Sequence, residues 1–171
     1  MENERKARII EELRGKIGVI AEPMLYQVEK GAIRRFIEAV EDFNPLYWDE
    51  EYARKTRYGS VIAPPGFFGL PDGEVIGAGI IPDFGILLTP ILNSFPSFIE
   101  IVVTGGVNGG TEGTFFRPVR VGDILLTYFK LSDITEKSGK FGPMVFFTFE
   151  QTFKNRVNQL VAIMRHVLVV Y

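Results

Sequence analysis

Apolar residues recur at helical spacing in the first third of the chain and at strand spacing in the last third. Ile9, Ile10 and Leu13 form one stripe in a segment otherwise rich in Glu, Lys and Arg. That stripe predicts a helix over residues 1–15, with Asn3 as N-cap, Glu4 and Arg8 at i,i+4, and Gly15 as a left-handed stop. Ile17–Glu29 reads as extended, with Pro23 early in it, where a strand start or edge tolerates proline. In Ala32–Glu41, Ile33, Phe36, Ile37 and Val40 fall at i, i+3, i+4 and i+7, one buried face of a second helix. Asn44-Pro45 then marks a turn, because proline pushes the preceding residue out of the helical region. Asp49 predicts the cap of a short third helix, with Glu50 and Glu51 in its first turn and Arg54 and Lys55 in its last. That helix should stop by Gly59, before Pro64-Pro65-Gly66.

From residue 110 the period changes to two. Segments near 110–117, 121–132, 143–154 and 159–170 have strand character and are separated by Pro118, Gly139/Gly142 and Asn155/Asn158. In the third of them Val145, Phe147, Phe149 and Phe153 share one face, the core side, while the face with Met144, Phe146, Thr148, Glu150 and Thr152 is mixed. Helices followed by successive strands predict an α+β architecture, an antiparallel sheet packed on one or two helices. Residues 70–107, apolar yet studded with proline and glycine, read as an ordered lid or interface insert.

Composition narrows the chemistry. A chain of 171 residues, 46% hydrophobic, predicts one domain with a sizeable core. The absence of Cys removes disulfides, thiolate nucleophiles and Cys-based metal sites and permits a reducing compartment. A single histidine, His166, excludes a multi-histidine metal centre, so no metal is expected. His166 alternates with Leu160, Met164 and Leu168 on one face and reads as a core or interface histidine. A net charge of -2 argues against a nucleic-acid partner. The apolar run Phe84–Ile99 is 16 residues long and interrupted by Pro90 and Pro96, too short to span a bilayer. The charged start does not read as a signal peptide, so a cytoplasmic protein without a membrane partner is expected.

The sequence also carries two motif blocks in order. The first runs Asp42-Phe43-Asn44-Pro45-Leu46-Tyr47-Trp48-Asp49-Glu50-Glu51-Tyr52-Ala53, then Tyr58-Gly59 and Ile62-Ala63-Pro64-Pro65. The second is Phe115-Phe116-Arg117-Pro118-Val119 with Val121-Gly122-Asp123. Together they resemble the MaoC-like dehydratases, the hotdog-fold family that includes (R)-specific enoyl-CoA hydratases and 3-hydroxyacyl thioester dehydratases, and in particular the N-terminal-type half of that group. The resemblance covers roughly residues 17–170. It implies a hotdog domain over 17–171, preceded by the helix of 1–16: an antiparallel sheet of about five strands wrapped around a central helix, joined to a second hotdog as a homodimer or a heterodimer with a catalytic subunit. It further implies an acyl thioester of coenzyme A or an acyl carrier as substrate, no other cofactor, and a place in fatty acid metabolism.

Active members of the family carry Asp-x-Asn-Pro-x-His, where the Asp and His hold a water and manage the proton at the α carbon of an enoyl thioester. Asp42 and Asn44 match that pattern, but Tyr47 stands at the histidine position. A phenol with a pKa near 10 is ionised to about one part in a thousand at pH 7, so Tyr47 is a poor base and a competent hydrogen-bond donor. The resemblance therefore implies a half-present catalytic set of Asp42, Asn44 and Tyr47. It adds Pro65 and Gly66, whose backbone faces the thioester oxygen, and Arg117, which meets a coenzyme A phosphate, as substrate-binding residues. Each also has a plainer reading: Asp42 and Asn44 as turn formers, Tyr47 as a packing aromatic, Pro65 and Gly66 as a helix start, Arg117 as part of a strand break. Two other functions compete: a non-catalytic acyl-CoA or acyl-carrier binding or regulatory subunit, and a hotdog thioesterase that activates water with Glu38 or Asp42.

Overall fold

The computed structural model describes residues 2–71, 95–102, 105–139 and 142–171. Its elements are α1 (Glu2–Arg14), β1 (Met24–Gln27), α2 (Lys30–Ala39), a 3₁₀ turn (Pro45–Tyr47), α3 (Glu50–Arg54), β2 (Leu70–Pro71), α4 (Phe98–Val102), β3 (Gly106–Phe115), β4 (Ile124–Gly139), β5 (Gly142–Asn155) and β6 (Leu160–Val170). The strands make one antiparallel sheet in the order β2-β1-β4-β5-β6-β3, five substantial strands and the two-residue β2.

The centre of the sheet is β5, paired along its length with β4 and β6. Its odd-numbered residues face the core as the alternation predicts: Val145, Phe147, Phe149 and Phe153 are buried, with Gln151 among them. Two helical groups cover this face. Ile9, Ile10 and Leu13 of α1 and Phe98 and Ile101 of α4 pack with Phe129, Leu131, Phe147 and Phe149, and Phe98 meets Phe147 and Phe149 edge-on at 4.9 and 5.4 Å. Ile33 and Ile37 of α2 pack with Tyr26, Leu125, Phe153 and Met164. The N-terminal helix is therefore a wall of the core, tied further by Arg14, which donates to the Ile134 carbonyl and the Glu136 carboxylate.

Between the two clusters runs a line of buried polar side chains. His166 is bonded on both ring nitrogens, to Thr111 Oγ1 at 3.2 Å and Gln151 Oε1 at 3.1 Å, and stacks on Phe129. Because the Gln151 oxygen only accepts, Nε2 carries the proton and Nδ1 receives the Thr111 hydroxyl. The histidine is thus a satisfied core residue. Buried beside it, the Tyr26 and Thr127 hydroxyls find no hydrogen-bond partner among the described residues, and burial pushes the Tyr26 phenol up to about 12.

Several boundaries differ from the sequence reading. Asn3 lies inside α1, which is already helical at Glu2, and the left-handed glycine after it is Gly18 (φ 86°) rather than Gly15. Only Met24–Gln27 of the predicted extended stretch Ile17–Glu29 forms a strand, with Ile20 in a single bridge to Lys130. The first of the four predicted strands begins earlier, at Gly106, and ends at Phe115. β4 runs on to Gly139, past the predicted end at 132, because a bulge between Leu131 and Asp133 shifts the inward phase from odd to even residues and brings Ile134 into the core. The predicted insert of 70–107 falls mainly on residues outside those described. Of its described part, Phe95, Phe98 and Ile101 belong to the core.

The second helix ends at Ala39, two residues before the predicted limit. Glu41 takes a left-handed conformation (φ 55°) and the Asp42 N–H donates to the Ile37 carbonyl at 3.0 Å, a Schellman closure with glutamate where glycine is favoured. Glu41→Gly removes the left-handed cost at the expense of unfolded-state entropy and should stabilise the protein by about 0.5–1 kcal/mol, read as a higher urea midpoint at unchanged slope.

Burial lowers the His166 pKa from 6.5 to about 4. The unfolded chain therefore takes up the proton first, so the stability held by neutral His166 is complete above the unfolded value and is lost as pH falls toward the folded one. Wild type should lose up to roughly 3 kcal/mol more than His166→Gln between neutral pH and pH 4, measured as the difference in their melting temperatures across that range.

Candidate functional site

The site grows out of the end of α2. The Schellman closure delivers the chain into Asp42–Asn44, where the Asn44 N–H donates to Asp42 Oδ1 at 3.3 Å and the Asn44 side-chain oxygen accepts from the Leu46 N–H at 3.1 Å. Asn44 thereby caps the 3₁₀ turn that Pro45 begins, and this turn sets Tyr47 at its end. Asp49 then accepts from the N–H groups of Glu51 and Tyr52, at 2.9 and 3.0 Å, and starts α3 as the sequence predicts. The Trp48 indole donates to the Phe43 carbonyl and closes the loop on itself.

Tyr47 faces a cavity of about 470 Å³ lined by Leu46, Arg57, Tyr58 and wall residues from 62–68 and 115–119, including Pro65, Gly66, Phe67, Phe68, Phe115 and Arg117. The two motif blocks meet here because Ala63 N–H donates to the Val119 carbonyl at 2.8 Å and Ile62 bridges to Arg120. Phe68 supports the apolar side: it stacks on Phe153 at 3.9 Å and on Phe115 at 6.0 Å, which ties the wall to the sheet. At Gly66 (φ 92°) the space a Cβ would occupy is open, and its N–H has no protein acceptor among the described residues. A backbone donor next to free space is what a carbonyl oxygen needs for an oxyanion-type contact.

Of the residues singled out from sequence, Tyr47, Pro65, Gly66 and Arg117 share this cavity. Asp42 and Asn44 do not line it; both are exposed on the turn that carries Tyr47, and their polar atoms serve that turn. Arg117 spends one donor on the Leu160 carbonyl at 2.9 Å. Glu38 sits on the exposed face of α2, paired with Arg34 at 2.9 Å, away from the cavity.

Sequence reading missed the role of Arg57 and Tyr58. The Arg57 guanidinium donates to the Tyr58 hydroxyl at 2.7 Å and lies over its ring, and both residues line the cavity beside Tyr47. Tyr58-Gly59 belongs to the first motif block, which was the available signal. Burial, then the nearby Asp42 carboxylate and Tyr58, raise the Tyr47 pKa above its ordinary value of 10. Tyr47 therefore stays protonated and donates. With Arg57 occupying one side of the Tyr58 oxygen, the Tyr58 proton is also free to donate, so two phenols line the cavity together with Gly66, whose N–H is unspent among the described residues.

Among the described residues no helix is long and apolar enough to cross a membrane. The family profile described as "FAS1-like, dehydratase domain region" matches residues 16–164. A "UPF0336 protein" of Streptomyces avermitilis is 31% identical over 115 residues, 67% of each chain. A "Probable enoyl-CoA hydratase alpha subunit" of Thermomonospora curvata is 28% identical over 138 residues, 78% of this chain and 41% of that one. In three dimensions the chain is similar to a subunit of the ChsH1-ChsH2 complex from Mycobacterium tuberculosis, with a TM-score of 0.66 and 22% identity over 99% of this chain and 90% of that one. It is also similar to a protein described as "MaoC-like dehydratase", with a TM-score of 0.65 and 22% identity over 92% of this chain and 43% of that one. With its antiparallel sheet, its two motif blocks joined at one cavity and this match over most of its length, the chain belongs to the FAS1-like dehydratase-region family and has the hotdog fold of the MaoC-like dehydratases.

Proposed function

We propose that the chain is the acyl-holding half of a double-hotdog hydratase or dehydratase: it binds an enoyl or 3-hydroxyacyl thioester in the Tyr47 cavity and relies on a second hotdog subunit for the imidazole its own turn lacks. The observation that carries this reading is Tyr47 itself, a protonated phenol at the position of the family's histidine, on the wall of a cavity that also offers the Gly66 N–H and an aromatic lining.

Hydration adds hydroxide to the β carbon and a proton to the α carbon of the enoyl group, so a base must take a proton from water. Tyr47 with a raised pKa cannot serve at neutral pH, and Asp42 stands outside the cavity with one oxygen held by the Asn44 N–H. The groups that remain bind and orient: Tyr47, Tyr58 and the Gly66 N–H are donors for a thioester or hydroxyl oxygen, and Phe67, Phe68 and Phe115 take the apolar chain. Coenzyme A or an acyl carrier supplies the thioester, and no further cofactor is required. A cytoplasmic location fits a cysteine-free chain.

The second subunit has a place to join. β3 is a ten-residue edge strand, paired with β6 on one side, with no strand on its other side among the described residues and with Glu112 as its one charged residue. So long an edge with so little charge is an open template for strand addition. Val107 and Phe115 on the strand and Phe116 just beyond it, all exposed, give it apolar surface.

Titration of the pure chain with crotonyl-CoA, followed by calorimetry and by loss of enoyl absorbance, should give binding without turnover. Tyr47→Phe should weaken binding by up to about tenfold, the worth of one hydrogen bond, and Tyr47→His should gain measurable hydration. Turnover by wild type that disappears in Asp42→Asn would instead place a complete catalytic site on this chain. Release of free thiol would instead identify a thioesterase. Tyr58→Phe should lower affinity in the same assay and leave the melting temperature within about 1 °C, since the lost group faces the cavity.

A further inference from the structure

A second cavity, of about 230 Å³, adjoins the first along the wall formed by residues 58–63 and 117–121. Its lining is Lys30, Glu50, Arg54, Gly59, Ser60, Val61, Arg120 and Val121. Three cations and one carboxylate give it an excess of two positive charges, in a chain whose net charge is -2. The single carboxylate, Glu50, is spent on Lys30, whose ammonium donates to it and holds its pKa below the ordinary value. Arg54 makes no hydrogen bond or close ion pair among the described residues and acts on Glu50 only through space. Arg120 spends one Nη2 donor on the Tyr58 carbonyl at 3.2 Å, which anchors the half-buried side chain and leaves its other guanidinium donors open. Asp123, three residues from Arg120, accepts from the Arg120 backbone N–H rather than from its guanidinium, and Glu51 on α3 pairs with Lys55. An anchored Arg120 and an exposed, unspent Arg54 on one cavity wall are suited to phosphate oxygens, which accept guanidinium donors in pairs.

We propose that this cavity is an anion subsite, in which Arg54 and Arg120 hold a phosphate carried on the pantetheine arm of the thioester whose acyl end lies in the Tyr47 cavity. The assignment rests on the thioester reading of that neighbouring cavity. The two sites share their wall: Tyr58, Ile62 and Val119 face the first cavity, while Gly59, Val61 and Arg120 face the second. A ligand with an apolar, carbonyl-bearing end and an anionic end, on a flexible arm long enough to pass that wall, meets complementary chemistry at both ends. Two sources carry that chemistry, the nucleotide of coenzyme A and the single phosphate of a carrier protein's prosthetic arm.

Calorimetric titrations with coenzyme A, 4′-phosphopantetheine and pantetheine separate the outcomes. Coenzyme A or 4′-phosphopantetheine should bind about tenfold or more tightly than pantetheine, the worth of one charge-assisted contact, and the advantage should shrink as salt rises. Equal affinity for the two phosphorylated ligands assigns the site to the phosphate common to both; a coenzyme A preference assigns it to the nucleotide. Arg54→Gln alone, which breaks no hydrogen bond in the fold, should remove most of the advantage, and Arg54→Gln with Arg120→Gln should abolish it. Arg165→Gln, an exposed arginine on β6, should leave it unchanged. If pantetheine binds as tightly as coenzyme A, or the Arg54→Gln variant keeps the full advantage, the subsite is wrong while the thioester reading stands. If none of the three binds and crotonyl-CoA fails as well, the thioester reading falls with it.

Discussion

The structure depends on one strand burying its aromatic face. β5 is flanked along nearly its whole length by the long strands β4 and β6, and its inward residues Phe147, Phe149 and Phe153 are almost fully excluded from water. Antiparallel register has period two, so a slip of one residue on either side would turn these rings outward and bring Phe146, Thr148 and Glu150 inward. Everything that reaches the site is referred to this face. Phe153 holds Tyr26 of β1 edge-on and Phe68 of the cavity wall face-on, so the wall moves only if the sheet does.

The same face is divided by chemistry. Phe129, Leu131, Phe147 and Phe149 pack with α1 and α4, and Leu125, Phe153 and Met164 with α2, while Gln151, His166 and Thr127 run between them. A buried imidazole kept neutral and bonded at both nitrogens is a structural element, and it settles where the protein's one histidine is employed. At the turn after α2 the chain carries a phenol, Tyr47. A phenol of raised pKa stays protonated at neutral pH, so at this position the turn carries a hydrogen-bond donor and not a base.

The two cavities differ in chemistry. The Tyr47 cavity is aromatic and donor-lined, the Arg54–Arg120 cavity is cationic, and the paired segments around Ile62 and Arg120 form the wall between them. β3 leaves a long edge without a strand partner among the described residues at the far side of the sheet order from β1, and its end at Phe115 reaches the Tyr47 cavity.

Helices, strands and the two motif blocks were legible from the sequence because each is encoded by local spacing: the apolar stripe of α2, the alternation of β5, the Asp49 cap, the Asn44-Pro45 turn. The departures arose where one residue breaks a period. The bulge at Ser132 reverses the phase of β4, and the left-handed Glu41 ends α2 early, and neither has a local signal that outweighs the periodicity around it. The sequence also determined that a tyrosine and not a histidine stands at the turn, since that is a matter of identity. Only the tertiary structure decided that Asp42 and Asn44 are spent on the turn while Tyr47, Tyr58 and Gly66 share a cavity, and that Lys30, Arg54 and Arg120 come together beside it. These groups lie up to ninety residues apart in the chain, and their meeting follows from the bridge between Ile62 and Arg120, a long-range pairing that no local pattern records.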